Sequence, residues 1–163
     1  MKAKTTYIAI GAGVLIIALA VFYTYSADQA KNRGKSFGDS LQTIQDEVEQ
    51  IQTEFYSKKT LLDEKSITQQ EFLEFGKTHI EKLNQILAKY DSLSPPQSFA
   101  KSVELFKTST QKQIESDQYL LKWIATNDTS DKIRSDSLFQ ESFEHEIAGL
   151  ESYNRAKNNA GQN

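Results

Sequence analysis

The sequence predicts an all-α protein in which a single N-terminal transmembrane helix precedes an antiparallel up-down four-helix bundle. Residues 7–25 contain no charged side chain, and the two prolines of the remaining chain stand side by side. Beyond residue 36, apolar residues recur at the three- and four-residue spacing of amphipathic helices. The 163 residues are enough for one such domain with its own core.

The apolar stretch at 7–25 has the length of a membrane span. At ~1.5 Å per residue it forms a helix of about 28 Å, close to the ~30 Å hydrocarbon core of a bilayer. Tyr7 lies at one end and Tyr23 and Tyr25 at the other, where aromatic rings meet lipid headgroups. The alternative is a cleaved signal peptide, because residues 18–20 read Ala-Leu-Ala, but the apolar run continues beyond them. We therefore expect a retained signal-anchor helix.

The flanks of this span bear on its orientation. A basic tail (1–6) precedes it, and a basic juxtamembrane linker (26–35) follows with Lys31, Arg33 and Lys35, which can contact anionic headgroups. Counting Lys and Arg alone mildly opposes an N-terminus inside the cell. A short basic terminus, an apolar run and a long polar domain nevertheless predict a single-pass protein of the cell membrane with its C-terminal domain extracytoplasmic.

A glycosylation pattern is compatible with export. Asn127, Asp128 and Thr129 match the N-glycosylation acceptor triplet, which is used only on the exported side. Such a triplet also arises by chance in a chain rich in Ser and Thr.

The bundle domain is expected at 36–157, followed by a flexible tail at 158–163. Its predicted helices are 37–62, 69–92, 95–126 and 131–157. The first has a strict heptad, typical of a coiled coil, formed by Phe37, Leu41, Ile44, Val48, Ile51 and Phe55. Thr68 and Glu71 predict a capping box at the start of the second helix, whose inward face is Phe72, Gly76, His79, Leu83, Ile86 and Tyr90.

The last two helices have less regular apolar faces. Ser94, Pro95 and Gln97 predict the start of the third helix. Its inward face is Phe99, Val103, Phe106, Thr110, Ile114, Leu121 and Ile124, and that of the fourth helix is Phe139, Phe143, Ile147 and Leu150. Bundles of this architecture resemble the sensor modules of membrane chemoreceptors, although no motif carries the resemblance.

Composition argues against several classes of function. From Ser36 onward, 14 Lys and Arg residues stand against 21 Asp and Glu residues, so nucleic acid is not an expected partner. The chain has no Cys, and its only Met is Met1, which excludes thiol chemistry and offers no haem attachment. Neither His79 nor His145 has a Glu three residues before it, as di-iron bundles require. We therefore expect no enzyme activity, no metal and no cofactor.

Two buried polar features are predicted inside the bundle. His79 lies within an apolar helix face, which is typical of a core histidine bonded to a neighbour; the alternative is a ligand-binding or pH-sensing histidine. Lys58, Asp117 and Asp136 fall on inward positions at similar heights and predict a buried charge cluster that determines helix order. This hypothesis expects Lys58→Ala to destabilise the bundle more than Asp117→Asn. Solvation at the bundle end and a ligand pocket are the alternatives.

One surface feature suggests a protein contact. Tyr119 and Trp123 are four residues apart, away from the core stripe of the third helix, and exposed aromatic pairs are typical interface anchors. Alternatively, Leu61 and Leu62 cover them.

The predicted function is that of a membrane-anchored, extracytoplasmic helical scaffold or accessory subunit without catalysis. Its partners are the bilayer, through residues 7–25, and another protein or a second copy. The alternative is an extracytoplasmic ligand-sensing bundle that uses His79 and the Lys58 region and acts through a partner protein.

Overall fold

The computed structural model describes residues 32–160, with side chains for 37–159. Within that range the chain forms four α-helices and no strand, which confirms the predicted all-α, four-helix fold. The helices are α1 (Asn32–Asp63), α2 (Gln69–Asp91), α3 (Ala100–Thr126) and α4 (Thr129–Ala160), and a short 3-10 helix, Gln97–Phe99, precedes α3.

The predicted N-terminal features lie outside the described residues. They comprise the tail at 1–6, the membrane span at 7–25, Lys31 and the side chains of Arg33 and Lys35. Within residues 32–160, no helix combines the length and the hydropathy that a membrane span requires.

Local sequence signals account for the helix ends. Thr68 and Glu71 form the predicted capping box, in which each side chain bonds the other residue's backbone N–H. Asn127 ends α3 in the left-handed conformation, with φ of 59°, which Asn tolerates better than most residues. The start of α3 differs from the prediction: Pro95 and Pro96 remain outside, and the α-helix begins at Ala100 after the 3-10 turn.

Consecutive helices run antiparallel, as their side-chain pairings show. The pairings are Glu47–Lys89 and Glu54–Lys82 between α1 and α2, His79–Asp117 and Tyr90–Thr110 between α2 and α3, and Ser109–Ser142 and Ser116–Ser135 between α3 and α4. In each pair, higher numbers on one helix meet lower numbers on the next. This order brings one side of every helix into a shared interior.

The interior contains two apolar clusters. The larger is formed by Phe37, Leu41, Ile44, Val48, Ile86, Tyr90, Val103, Phe106 and Tyr153. The smaller is formed by Phe55, Phe72 and Leu120, with half-buried residues around them. The predicted inward faces of the first two helices are therefore confirmed, and between the clusters lie Gln52, His79 and Asp117, all buried.

The predicted inward face of the fourth helix is wrong at Ile147 and holds only in part at its other residues, of which Leu150 packs against the larger cluster. Ile147 is 39 % exposed, and Phe139, Phe143 and Leu150 are only half-buried. The buried positions of α4 are instead small or polar residues together with Leu138 and Tyr153.

Small residues explain this outcome. Every seventh residue is small along the facing sides of α3 (Ser102, Ser109, Ser116) and of α4 (Ser135, Ser142, Gly149, Ala156), and all of these are buried. Because small side chains let helix axes approach, α3 and α4 are the most closely packed pair of helices in the described chain. We call this contact the serine seam.

Candidate functional site

A buried carboxylate at the centre of the bundle receives side chains from three helices. Asp117 on α3 is 0 % exposed. Its Oδ2 accepts a hydrogen bond of 2.9 Å from Gln52 Nε2 on α1 and lies 2.9 Å from His79 Nε2 on α2, while its Oδ1 accepts a bond of 3.0 Å from Gln113 Nε2. A buried carboxylate is tolerated only when such donors replace the water it has lost.

His79 is the group most closely matched to this carboxylate. Its side chain is fully buried, and its ring stacks on Phe55 with centroids 4.0 Å apart. Since Asp117 Oδ2 accepts, Nε2 carries the hydrogen of this contact. Nδ1 has no hydrogen-bond partner within the described residues. His79 is thus arranged as a core histidine hydrogen-bonded to a neighbour, which is the first of the two alternatives that its sequence position offers.

The polar network continues from Asp117 toward α4. Gln113 also donates to the Tyr56 hydroxyl at 3.4 Å, and its Oε1 lies 3.5 Å from the Ser142 hydroxyl. Ser142 in turn lies 3.2 Å from Ser109. Burial raises the pKa of Tyr56 well above its ordinary value, and the charge of Asp117 adds to that increase. The tyrosine is therefore held as a neutral hydroxyl.

Glu146 is a second buried carboxyl group at the α4 end of this network. It is 8 % exposed; burial raises its pKa to about 7, an effect that a hydrogen bond with Ser109 partly offsets. Its Oε1 has no partner within residues 37–159. Glu146 thus lacks the set of donors that surrounds Asp117.

A separate hydrogen-bonded group surrounds Tyr90. Its hydroxyl accepts a bond of 2.9 Å from Gln45 Nε2 and lies 3.2 Å from the Thr110 hydroxyl. Burial raises the pKa of Tyr90, so this hydroxyl also remains neutral. The group joins α1, α2 and α3 about two turns along α3 from Asp117.

The predicted cluster of Lys58, Asp117 and Asp136 requires correction. Asp136 is exposed and pairs with Lys132, four residues earlier on the same helix. Lys58 is half-buried, with its Nζ 5.9 Å from the centre of the Phe75 ring. Only Asp117 is in the core, where histidine and glutamine, not lysine, satisfy it. Lys58 and Asp136 each have a partner other than Asp117.

Tyr119 and Trp123 lie at the outer end of α3, and both are half-buried. Trp123 packs on the smaller apolar cluster, as does Leu62, so cover by the α1–α2 turn is partial. A lysine makes a cation–π contact with each ring. Lys122 Nζ lies 5.7 Å from the Tyr119 ring centroid, and Lys132 Nζ lies 5.7 Å from the Trp123 ring centroid. Asn127, the candidate glycosylation residue, is exposed at the nearby turn.

Several residues of the Asp117 network and of the Tyr90 group are absent from the sequence-based prediction. They are Gln45, Gln52, Gln113, Ser109, Ser142 and Glu146. A signal for part of this set exists: small residues recur every seven positions in two consecutive helices, which indicates close helix contact. Glutamines on apolar helix faces carry no such periodic signal.

The described residues define a class of structure: a helical bundle whose core is divided by a hydrogen-bonded polar layer. Comparison with models of known protein families, with curated proteins and with solved structures found no match. Within residues 32–160, no three His, Asp or Glu side chains are grouped as metal ligands.

Proposed function

We propose that the chain is a membrane-tethered, extracytoplasmic helical interaction module that supports a partner protein without catalysing a reaction. One observation carries this proposal: the central carboxylate of Asp117 is satisfied by donors from α1, α2 and α3. Groups arranged in this way position helices relative to one another, and they leave neither oxygen of Asp117 free to meet a substrate. The uncharged stretch at 7–25 supplies the tether.

The end of the bundle nearest this tether follows from the direction of α1. Phe37, at the start of α1, lies 5.6 Å from Phe99, and Phe99 lies 5.0 Å from Tyr153, as measured between ring centroids. The turn before α3 and the end of α4 therefore share the tethered end. Trp123 and Asn127 belong to the opposite end, which the proposal directs away from the bilayer.

The topology can be tested with a C-terminally tagged full-length chain in intact cells. The proposal expects a membrane-bound protein of full-length mass whose tag is removed by external protease. Protection of the tag would place the bundle on the cytoplasmic side, and a shortened soluble product would show that residues 7–25 are a cleaved signal peptide. Either result would overturn the tethered extracytoplasmic topology.

A ligand-sensing bundle is the second candidate, and a specific observation favours it. His79 Nδ1 and Gln52 Oε1 are buried without partners in the described residues, beside the same carboxylate. A small polar ligand bonded to both atoms would raise the melting temperature of the full-length protein, and His79→Phe would remove that increase. Stabilisation that survives His79→Phe would exclude this site.

A further inference from the structure

The connection between α3 and α4 contains the acceptor triplet formed by Asn127, Asp128 and Thr129. Since α3 ends at Thr126 and α4 begins at Thr129, the triplet consists of the two connecting residues and the first residue of α4. No other Asn of the sequence has Ser or Thr two positions after it, and the middle residue is not Pro, which the acceptor pattern forbids. The chain therefore has one candidate position for N-glycosylation, and it lies in a turn.

This turn is exposed at the end of the bundle opposite the tether. Residues 125–130 are all exposed, and residues 37–159 contain no longer run of exposed residues. The side chain of Gln69, in the first turn of α2, donates to the carbonyl of Ile124, so the triplet lies near the α1–α2 turn. At ~1.5 Å per residue, α1 rises about 40 Å from residue 37 to residue 63. The proposed topology thus holds Asn127 well away from the bilayer, on the exported side.

The side-chain amide of Asn127 has no structural role. Asn127 ends α3 through its backbone, because its N–H donates to the carbonyl of Trp123 at 2.7 Å. Among the described residues its side chain makes no hydrogen bond. The amide nitrogen can therefore be modified without the loss of a bond that holds the fold.

The hydroxyl of Thr129 is also free of structural bonds. Asp128 caps the start of α4, where its Oδ1 accepts from the N–H of Ser130 at 2.9 Å and from the Ser130 hydroxyl at 2.8 Å. The Thr129 hydroxyl has no partner within the described residues, and a β-branched residue is a poor helix former. The left-handed backbone accounts for Asn at position 127 but not for Thr at position 129, whereas the acceptor triplet accounts for both.

The first turn of α4 can open to present the triplet to an enzyme. Its first backbone hydrogen bonds are long, with the N atoms of Asp131 and Lys132 at 3.2 and 3.4 Å from the carbonyl of Asp128. Helix ends open more readily than helix interiors. Asp131, which is buried and paired with Lys122, holds the helix immediately after the triplet, so this opening leaves the bundle intact.

We infer that Asn127 is N-glycosylated on the exported side of the membrane. The inference rests on the proposed extracytoplasmic topology, because the modification takes place only on that side. The donor is an oligosaccharide activated as a lipid-linked phosphate ester. Asn127 Nδ2 forms a bond to the anomeric carbon of the first sugar, and the bond from that carbon to the phosphate oxygen breaks. The lipid phosphate leaves with the electron pair of the broken bond, and one amide proton passes to solvent.

The test is mass spectrometry of the C-terminally tagged full-length protein, isolated from the membranes of its own host cells and digested with trypsin. Cleavage after Lys122 and Lys132 releases residues 123–132, in which Asn127 is the only Asn. Cleavage after Lys82 and Lys89 releases residues 83–89, in which Asn84 is the control, because it is exposed but lacks a hydroxyl residue two positions later. We expect a sugar mass on the first peptide and the unmodified mass for the second.

Two substitutions at one position separate the acceptor triplet from the turn. Thr129→Ala keeps Asn127 and should abolish the sugar-bearing peptide, whereas Thr129→Ser keeps the hydroxyl and should retain it. Because the Thr129 side chain is exposed and unbonded within the described residues, both variants should fold as the wild type does. Circular dichroism of the purified variants checks this.

The outcomes distinguish the modification from the topology. An unmodified 123–132 peptide from a protein whose tag is removed by external protease would overturn the inference and leave the topology standing. The same peptide from a protein with a protected tag would overturn both. Sugar that persists in Asn127→Gln would place it on a hydroxyl group, which would also overturn the inference.

Discussion

The two halves of the bundle are held together by different means. The contact of α1 with α2 uses large side chains, with Phe55, Phe72 and His79 in the interior. The contact of α3 with α4 uses small ones, with serine hydroxyls 3.2 and 3.3 Å apart at two positions of the serine seam. Burial of large apolar groups stabilises the first contact, whereas close approach of the backbones stabilises the second.

The buried carboxyl groups of α3 and α4 differ in what the first two helices give them. Gln52 of α1 and His79 of α2 reach Asp117 on α3. Glu146 on α4 retains an oxygen without a partner in the described chain. Asp117 is thus well compensated and Glu146 poorly compensated.

The largest expected effect comes from removing the central carboxylate. Asp117→Ala leaves the buried donors of Gln52 and His79 without an acceptor and should lower the free energy of unfolding by ~3–5 kcal/mol. Lys58→Ala should lower it by less than about 1 kcal/mol, because Lys58 is half-buried and interacts with the Phe75 ring and the charge of the exposed Glu71. Denaturant titration followed by circular dichroism measures both. Equal losses would contradict the central role of Asp117.

Replacing the poorly compensated carboxyl group of Glu146 should raise the free energy of unfolding, whereas replacing Asp117 lowers it. Glu146 has an ordinary pKa of 4.5 and a folded pKa of about 7, so the folded state binds its proton more tightly than the unfolded state. This contribution to stability is complete below pH 4.5 and is lost as the pH rises through about 7. Glu146→Gln should therefore stabilise the protein by up to ~3 kcal/mol at about pH 8.

The pH dependence supplies the control for Glu146. Near pH 4 the wild type and Glu146→Gln should have similar free energies of unfolding, since the wild-type carboxyl group is then protonated in both states. Unfolding titrations at the two pH values measure the difference. A variant that is destabilised at about pH 8 would show that the charged carboxylate has partners in solution.

The smallest expected changes in the free energy of unfolding come from two glycines. Gly149 tests the close packing of α3 and α4, and Gly38 on α1 is the control. A Cβ at position 149 would lie 2.9 Å from two ring carbons of Phe106, whose side chain is fully buried, so Gly149→Ala should destabilise by ~1–3 kcal/mol. A Cβ at Gly38 on α1 would meet nothing within 4 Å. Gly38→Ala should stabilise by ~0.5–1 kcal/mol through helix propensity. The same denaturant titration compares them, and equal effects would argue against tight packing at the seam.

Sequence patterns identify α1 and α2 well because each has one dominant apolar stripe. The heptad from Phe37 to Phe55 and the face from Phe72 to Tyr90 are the buried sides of their helices. The pattern misleads for α4, where the most apolar stripe is not the most buried one. Hydropathy measures affinity for a core, but the seam is selected by the size of the side chains.

The residues of the candidate site could be predicted from the sequence only in part. The buried position of His79 follows from its place among apolar residues, and that of Asp117 follows from its spacing on α3. Its partners do not follow, because glutamine side chains reach across the interior from other helices, and their direction depends on the register of α1 against α3. Lys58 has the spacing of an interior residue, but its Nζ lies over the Phe75 ring and not beside Asp117.

The sequence alone determined the number of helices, the capping box at Thr68 and the inward sides of α1 and α2, since these depend on neighbours within one helix. Tertiary structure decided which donors meet Asp117, how closely α3 and α4 pack, and that Ile147 of α4 is exposed. Those outcomes depend on side-chain volume and on register between helices, which no single helical stretch of sequence contains.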